Sequence, residues 1–201
     1  MKRFLSALLI ISGLTTLTAC NAGIAAQVGD TKIMQSTVQG RISEILSERR
    51  KMDTSQMQLS TGEALNRAEL RFLLISDIFE KLAKENKIEI TQAMKDSRRV
   101  EIYNQLGGQE NLTQALIGAQ MAPSDFELYL QSVLISQALV ERAKASGISD
   151  ADTGSAIQQL VKGLTQKVGI KVNPQYGAWD PINADLTAFD PAASAVKPLN
   201  P

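Results

Sequence analysis

Apolar positions along the chain recur first with the period of strands and then, over most of its length, with the period of helices. Ala26 to Ile33 reads as two short strand pieces around a Gly29-Asp30 turn. Ser36-Thr37-Val38-Gln39 has capping-box spacing, and a helix should follow with Val38, Ile42, Ile45, Leu46 and Met52 on one face. Asp53 to Thr61 is a polar connector that carries Met57 and Leu59. Ser60-Thr61-Gly62-Glu63 repeats the capping-box spacing and opens a long helix, about Glu63 to Glu85. Its main stripe is Leu65, Ala68, Phe72, Ile75, Phe79, Leu82 and Ala83, and Leu74 and Ile78 widen the apolar arc to roughly half the circumference. Such a helix touches more than one neighbour.

Asn86-Lys87 breaks this helix. Thr91 can cap the next, which runs to Leu106 and stops at Gly107-Gly108. A shorter helix covers Glu110 to Gln120. Pro123 then suits the first position of a long helix that ends before Gly147. That helix is apolar on two sides, with Phe126, Tyr129, Leu130, Val133 and Val140 against Leu128, Ile135 and Leu139, the pattern of a central helix between others. A last helix, Asp152 to Val168, leads through Gly169 into a short strand, Ile170 to Val172. The expected fold is mostly α, with a small β-sheet pairing residues near 27–33 with 169–173, so that the two ends of the domain meet. Beyond Gly177 the Pro-rich sequence shows no helical period and reads as an extended, largely disordered tail.

The N-terminus changes the picture. Lys2 and Arg3 precede an apolar run, Phe4 to Leu17, which suits an export signal and is short of the ~20 residues of a spanning helix. The run closes on Leu17-Thr18-Ala19-Cys20, which resembles the lipobox of bacterial lipoproteins. The expectation is cleavage between Ala19 and Cys20 and a diacylglyceryl group on Cys20, with anchoring on the extracytoplasmic face of a membrane. The organisation is then a signal peptide (1–19), a lipidated tether (20–25), a helical domain (26–177) and a Pro-rich tail (178–201). The chain has 1 Cys, so no internal disulfide can form, and the core must hold the fold.

Composition removes several functions. There are 21 basic and 21 acidic residues, and losing Lys2 and Arg3 tips the balance slightly acidic; nucleic-acid binders usually carry a basic excess. With 0 His, the Ser-His-Asp and Cys-His arrangements and His-ligated metals are excluded, and no cofactor is expected. No spacing of Asp and Glu suggests paired carboxylates in a cleft. Asp180 and Asp185 beside Trp179 read as turn chemistry, and Asp96, Arg98, Arg99 and Glu101 as a solvated helix face.

The order of motifs is similar to a known family. Val28-Gly29-Asp30-x-x-Ile33 is followed by Leu82-Ala-Lys-Glu-Asn-Lys-Ile-Glu-Ile-Thr91, then Gln105-Leu-Gly-Gly108, then Met121-Ala-Pro-Ser-Asp-Phe126-x-x-Tyr129-Leu130. The series closes with Ile170-Lys-Val-Asn-Pro-Gln-Tyr-Gly-Ala-Trp-Asp180. Over about residues 24–180 this resembles the chaperone module of the SurA/PrsA family of extracytoplasmic foldases, in its actinobacterial lipoprotein form. The resemblance implies a helical client-binding domain. It departs from the family where a parvulin prolyl-isomerase domain is commonly inserted: only Gly147 to Ala151 separate the last two helices, against the ~100 residues a domain needs. What it implies is therefore an ATP-independent holdase for non-native exported polypeptides, without isomerase chemistry. The alternative is a scaffold lipoprotein with one specific envelope partner.

A holdase needs apolar surface within reach of a client, and flexible Met side chains suit promiscuous contact. Met52, Met57 and Leu59, at or beside the connector, and Phe72 and Phe79, on the long helix, are the candidate client-binding residues. Core packing competes for each of them, for the two Phe most of all.

Overall fold

The computed structural model describes residues 23–189. The expected export signal, with Ala19 and Cys20, and residues 190–201 lie outside the described residues. Two strands open the fold, β1 (Ile24–Val28) and β2 (Thr31–Met34). Six helices follow: α1 (Gln35–Arg49), α2 (Gly62–Glu85), α3 (Gln92–Leu106), α4 (Leu112–Gly118), α5 (Phe126–Ala145) and α6 (Thr153–Val168). Three short strands close it, β3 (Ile170–Val172), β4 (Ala178–Asp180) and β5 (Asp185–Thr187). The protein is mostly helical, with small antiparallel sheets built from segments near both ends.

β1 is the middle strand of the first sheet, in the order β2-β1-β3. Ala26 faces Ile33 on one side and Val172 on the other, both antiparallel. The Gly29 N–H donates to the Gly169 carbonyl at 3.0 Å and the Asn173 N–H to the Ala25 carbonyl at 2.8 Å, extending the junction beyond the strands. Ala25 is fully buried, so the expected tether is shorter than 20–25: Ile24 and Ala25 already belong to the sheet.

α1 begins at Gln35, one residue before the first capping box, and neither capping box supplies a side-chain cap. β2 runs directly into α1, and the free Gln35 N–H is taken by the Gly23 carbonyl at 2.7 Å, so no side-chain cap is required. The predicted Thr91 cap forms, with the Met94 N–H donating to Oγ1 at 3.3 Å. α3 ends at Gly107 in the left-handed region (φ 78°), where the Gly108 N–H closes a Schellman motif on the Tyr103 carbonyl at 2.9 Å. α2 and α4 end with the same hydrogen-bond pattern but place Lys87 (φ 51°) and Gln120 (φ 61°) where glycine is preferred.

The main core joins β1, α1, α2, α5 and α6. α2 turns a face containing Leu70, Leu73, Leu74 and Ile78 most deeply inward, while Phe72, Ile75 and Phe79 pack half-buried at its margin. The stripe is thus rotated from the predicted one, because α2 packs against α1, α5 and α6 together. Each fully buried aliphatic contributes ~1.5–3 kcal/mol. α5 is central as expected, in contact with α2, α3 and α6. A buried hydroxyl pair, Ser132 Oγ to Ser76 Oγ at 3.0 Å, joins α5 to α2.

The C-terminal expectation is corrected. The fold does not stop at residue 177: β4 and β5 form a hairpin with Trp179 opposite Leu186. Asp180 Oδ1 organises its turn by accepting the N–H groups of Ile182 (2.8 Å) and Asn183 (3.2 Å). Tyr176, Ala184 and Leu186 are buried in the main core, and Arg71 of α2 pairs with Asp185. The two aspartates therefore serve a turn and an ion pair, not a shared cleft.

Candidate clefts over a buried carboxyl pair

A second, smaller core lies between α3, α4 and the start of α5. Leu116, Phe126 and Leu130 are its buried members. The Phe126 ring stacks between Tyr103 and Tyr129, with centroids 6.3 and 6.5 Å away. α3 contributes no buried residue, so one side of this core stays open to solvent. A cleft of about 260 Å³ results, with Ile102, Leu106, Leu112, Met121 and Tyr129 in its walls and Arg98 at one end. An ion pair between Arg99 and Glu127 ties α3 to α5 beside it.

A second cleft of about 270 Å³ lies against α2, lined by Ala68, Glu69, Phe72, Ile75, Gln120 and Met121. Ala119 and Met121 belong to both clefts, so the turn between α4 and α5 is the wall that divides them. Of the candidate client-binding residues, only Phe72 lines either cleft. Phe79 and Met52 pack half-buried against the main core. Met57 and Leu59 are half-buried in the connector and line neither cleft. Met121, Ile102 and Tyr129 were not among the candidates. Their signal lies in the clustering of Met121, Phe126 and Tyr129 within nine residues.

Beneath the second cleft the structure gathers charges that no spacing had suggested. Glu69 of α2 and Asp125, in a 3₁₀ turn (Pro123–Asp125) before α5, are both buried, at 1% and 0% exposure. Arg41 of α1 approaches Asp125 with Nε 2.9 Å from Oδ1 and also reaches Ser124 Oγ. Glu44, one turn along α1, accepts the Ser124 N–H at 3.0 Å and its hydroxyl. Three carboxyl groups on three elements thus surround one guanidinium. Burial first, then the Asp125 charge and a hydrogen bond shared with it, push the Glu69 carboxyl up to about 8. Burial also raises Asp125, against the pull of Arg41. Glu69 is thereby held toward its neutral form, while Asp125 lies against the Arg41 guanidinium. One signal for Glu69 lies in the sequence. It sits four residues after Leu65 and four before Leu73, a charged type within a row that is otherwise apolar.

Comparison with protein-family models, with curated proteins and with solved structures finds no match. Among the described residues no helix is long and apolar enough to cross a membrane, and no cluster of His, Cys, Asp and Glu could hold a metal ion.

Proposed function

We propose that this protein is a chaperone of the SurA/PrsA type, anchored through lipid on Cys20 to the extracytoplasmic face of a membrane, which holds non-native exported polypeptides without ATP and without isomerase chemistry. The observation that carries this reading is the pair of adjoining open clefts divided by Met121, one mainly apolar and one of mixed lining. An unfolded segment offers apolar side chains a few residues apart, and two shallow sites beside each other suit it better than one deep pocket. A thioether and aromatic edges form the walls, adaptable surfaces that accept varied side chains. Each site returns only roughly 25 cal/mol per Å² buried, so binding is weak and release is easy. The order of motifs from Val28 to Asp180 supports the same reading.

The scaffold alternative, one specific envelope partner, draws support from the cleft rims: Arg98 and Gln105 border one cleft, and Arg71 and Gln120 the other. A paired-carboxyl hydrolase has less. Glu69 lines the second cleft, but Asp125 lines neither of the two and faces Arg41, so a substrate in them would meet one carboxyl of the pair and not both.

The test follows light scattering while unrelated reduced, unfolded clients aggregate, with and without a soluble form lacking the lipid. A tetrapeptide prolyl-isomerase assay runs beside it. Suppression across clients at low molar ratio, with no isomerase activity, is the expected result. No suppression with any client refutes the chaperone reading and leaves the scaffold.

A further inference from the structure

The Glu69–Asp125 contact holds in place the segment that separates the two clefts. From residue 119 to 125 the chain is not α-helical. It starts from Gln120 in a left-handed conformation that a non-glycine residue adopts at a cost. Its polar attachments run to α1, from Ser124 to Glu44 and from Ser124 and Asp125 to Arg41, and to the connector, where the Ser60 N–H donates to Gln120 Oε1 at 2.7 Å. Glu69 Oε1 and both Asp125 carboxyl oxygens are buried and receive no well-aligned N–H or hydroxyl donor. A proton on one carboxyl would give the other a donor.

We propose that Glu69 and Asp125, sharing one proton, form a latch that clamps the α4–α5 turn onto α1 and α2, and that loss of this proton releases the turn. With the proton in place, Asp125 and Glu44 face Arg41, and Glu69 is neutral. Without it, three carboxylates confront one guanidinium, two of them buried, and among the described residues no further cation is at hand: Arg71, at the neighbouring cleft, is engaged by Asp185, and Gln120 is neutral. The cheapest relief is for the turn to swing out and carry Asp125 into water. Met121 moves with it, and the two clefts become one longer channel. That last consequence, wider access for a client, rests on the chaperone reading; the latch itself does not.

The sign follows from proton linkage. The closed latch holds a proton up to about pH 8, whereas an exposed glutamate gives it up near its ordinary value of 4.5. Between these limits the closed state binds the extra proton, so opening becomes more favourable as pH rises, by up to ~tenfold per pH unit, and levels off above the upper limit.

Native-state hydrogen exchange on the full protein without client reads this directly. The amides of Gln120, Met121 and Asp125 are hydrogen-bonded to Ile117, Leu116 and Ala122 and are therefore protected while the turn is closed. After correction for the intrinsic rate, their opening constants should rise up to ~tenfold per unit from pH 5 to 8, while amides of Leu74 and Ile78 do not follow. Glu69→Gln, which cannot ionise, should flatten the dependence. Flat turn amides in the wild type, an equal slope in the core amides, or an unchanged slope in Glu69→Gln would each overturn the latch. Should Glu69→Gln not fold, infrared difference spectra of the wild type decide: a protonated-carboxyl band present at pH 6 and gone at pH 9 supports the latch, and its absence at pH 6 overturns it. A pH-dependent latch in a protein that suppresses no aggregation would leave the latch standing and remove the chaperone.

Discussion

Leu186→Ala measures whether the C-terminal hairpin is structure or appendage. Leu186 is 5% exposed and packs in the main core from β5, opposite Trp179. The substitution removes three carbon atoms. At ~0.8 kcal/mol per buried methylene this is about 2.4 kcal/mol, and a cavity that collapses only partly adds to it. The hairpin is at the margin of the fold and can settle inward, so the expected loss is about 2–3 kcal/mol. With a urea slope of ~2 kcal/mol/M, the midpoint should fall by about 1–1.5 M. The protein carries its own probe, since the chain has 1 Trp and it lies in β4. Trp179 fluorescence reports the hairpin, and far-ultraviolet circular dichroism reports the helices. In one cooperative unit both transitions coincide and move together in the variant. A Trp179 transition that precedes the helical one, with a helical midpoint unmoved by Leu186→Ala, would refute the reasoning and return residues 178–189 to the status of a tail.

Three further outcomes follow from other sites. Lys87→Gly should raise the unfolding free energy by about 1 kcal/mol, because the exposed Lys87 holds a left-handed conformation (φ 51°) at the end of α2 that glycine adopts freely; urea denaturation checks it. Gly177→Ala should lower stability by more than 1 kcal/mol, as order of magnitude, and blunt the fluorescence change of Trp179: Gly177 has φ 137°, and a Cβ there would collide with the Thr187 carbonyl oxygen. Met121→Ser should weaken aggregation suppression severalfold while shifting the melting temperature by only a few degrees, because Met121 is half-buried and forms the wall between the clefts.

What was legible in the sequence was what is encoded locally or by period. Thr91 and Gly107 bound α3 where expected, Gly147 follows α5, and Gly169 separates α6 from β3. The pairing of the two ends was legible because Ala26–Ile33 and Ile170–Val172 both read as short strands that needed partners. The hairpin was not. Its strands are three residues each, too short for alternation to show, and its tether to α2 joins Arg71 to a residue 114 positions away. The charge cluster failed to show for the same reason. Arg41, Glu44, Glu69 and Asp125 each resemble surface charges on their own segment, and only the packing of α1, α2 and the α4–α5 turn brings them together. The ends of α2 and α4 escaped because Lys87 and Gln120 do what Gly107 does without the residue type that announces it.

The position of β1 between β2 and β3 governs the order in which the protein can become itself. A ribosome or a translocation pore delivers the N-terminus first. β1 and β2 can pair as soon as both have emerged, but the other edge of β1 must wait until residues 170–172 arrive. Throughout that interval the nascent chain exposes a strand edge and the apolar face beneath it, the features that draw a polypeptide into association with its neighbours. Until its last strands have been delivered, this protein is itself the kind of chain it is proposed to hold.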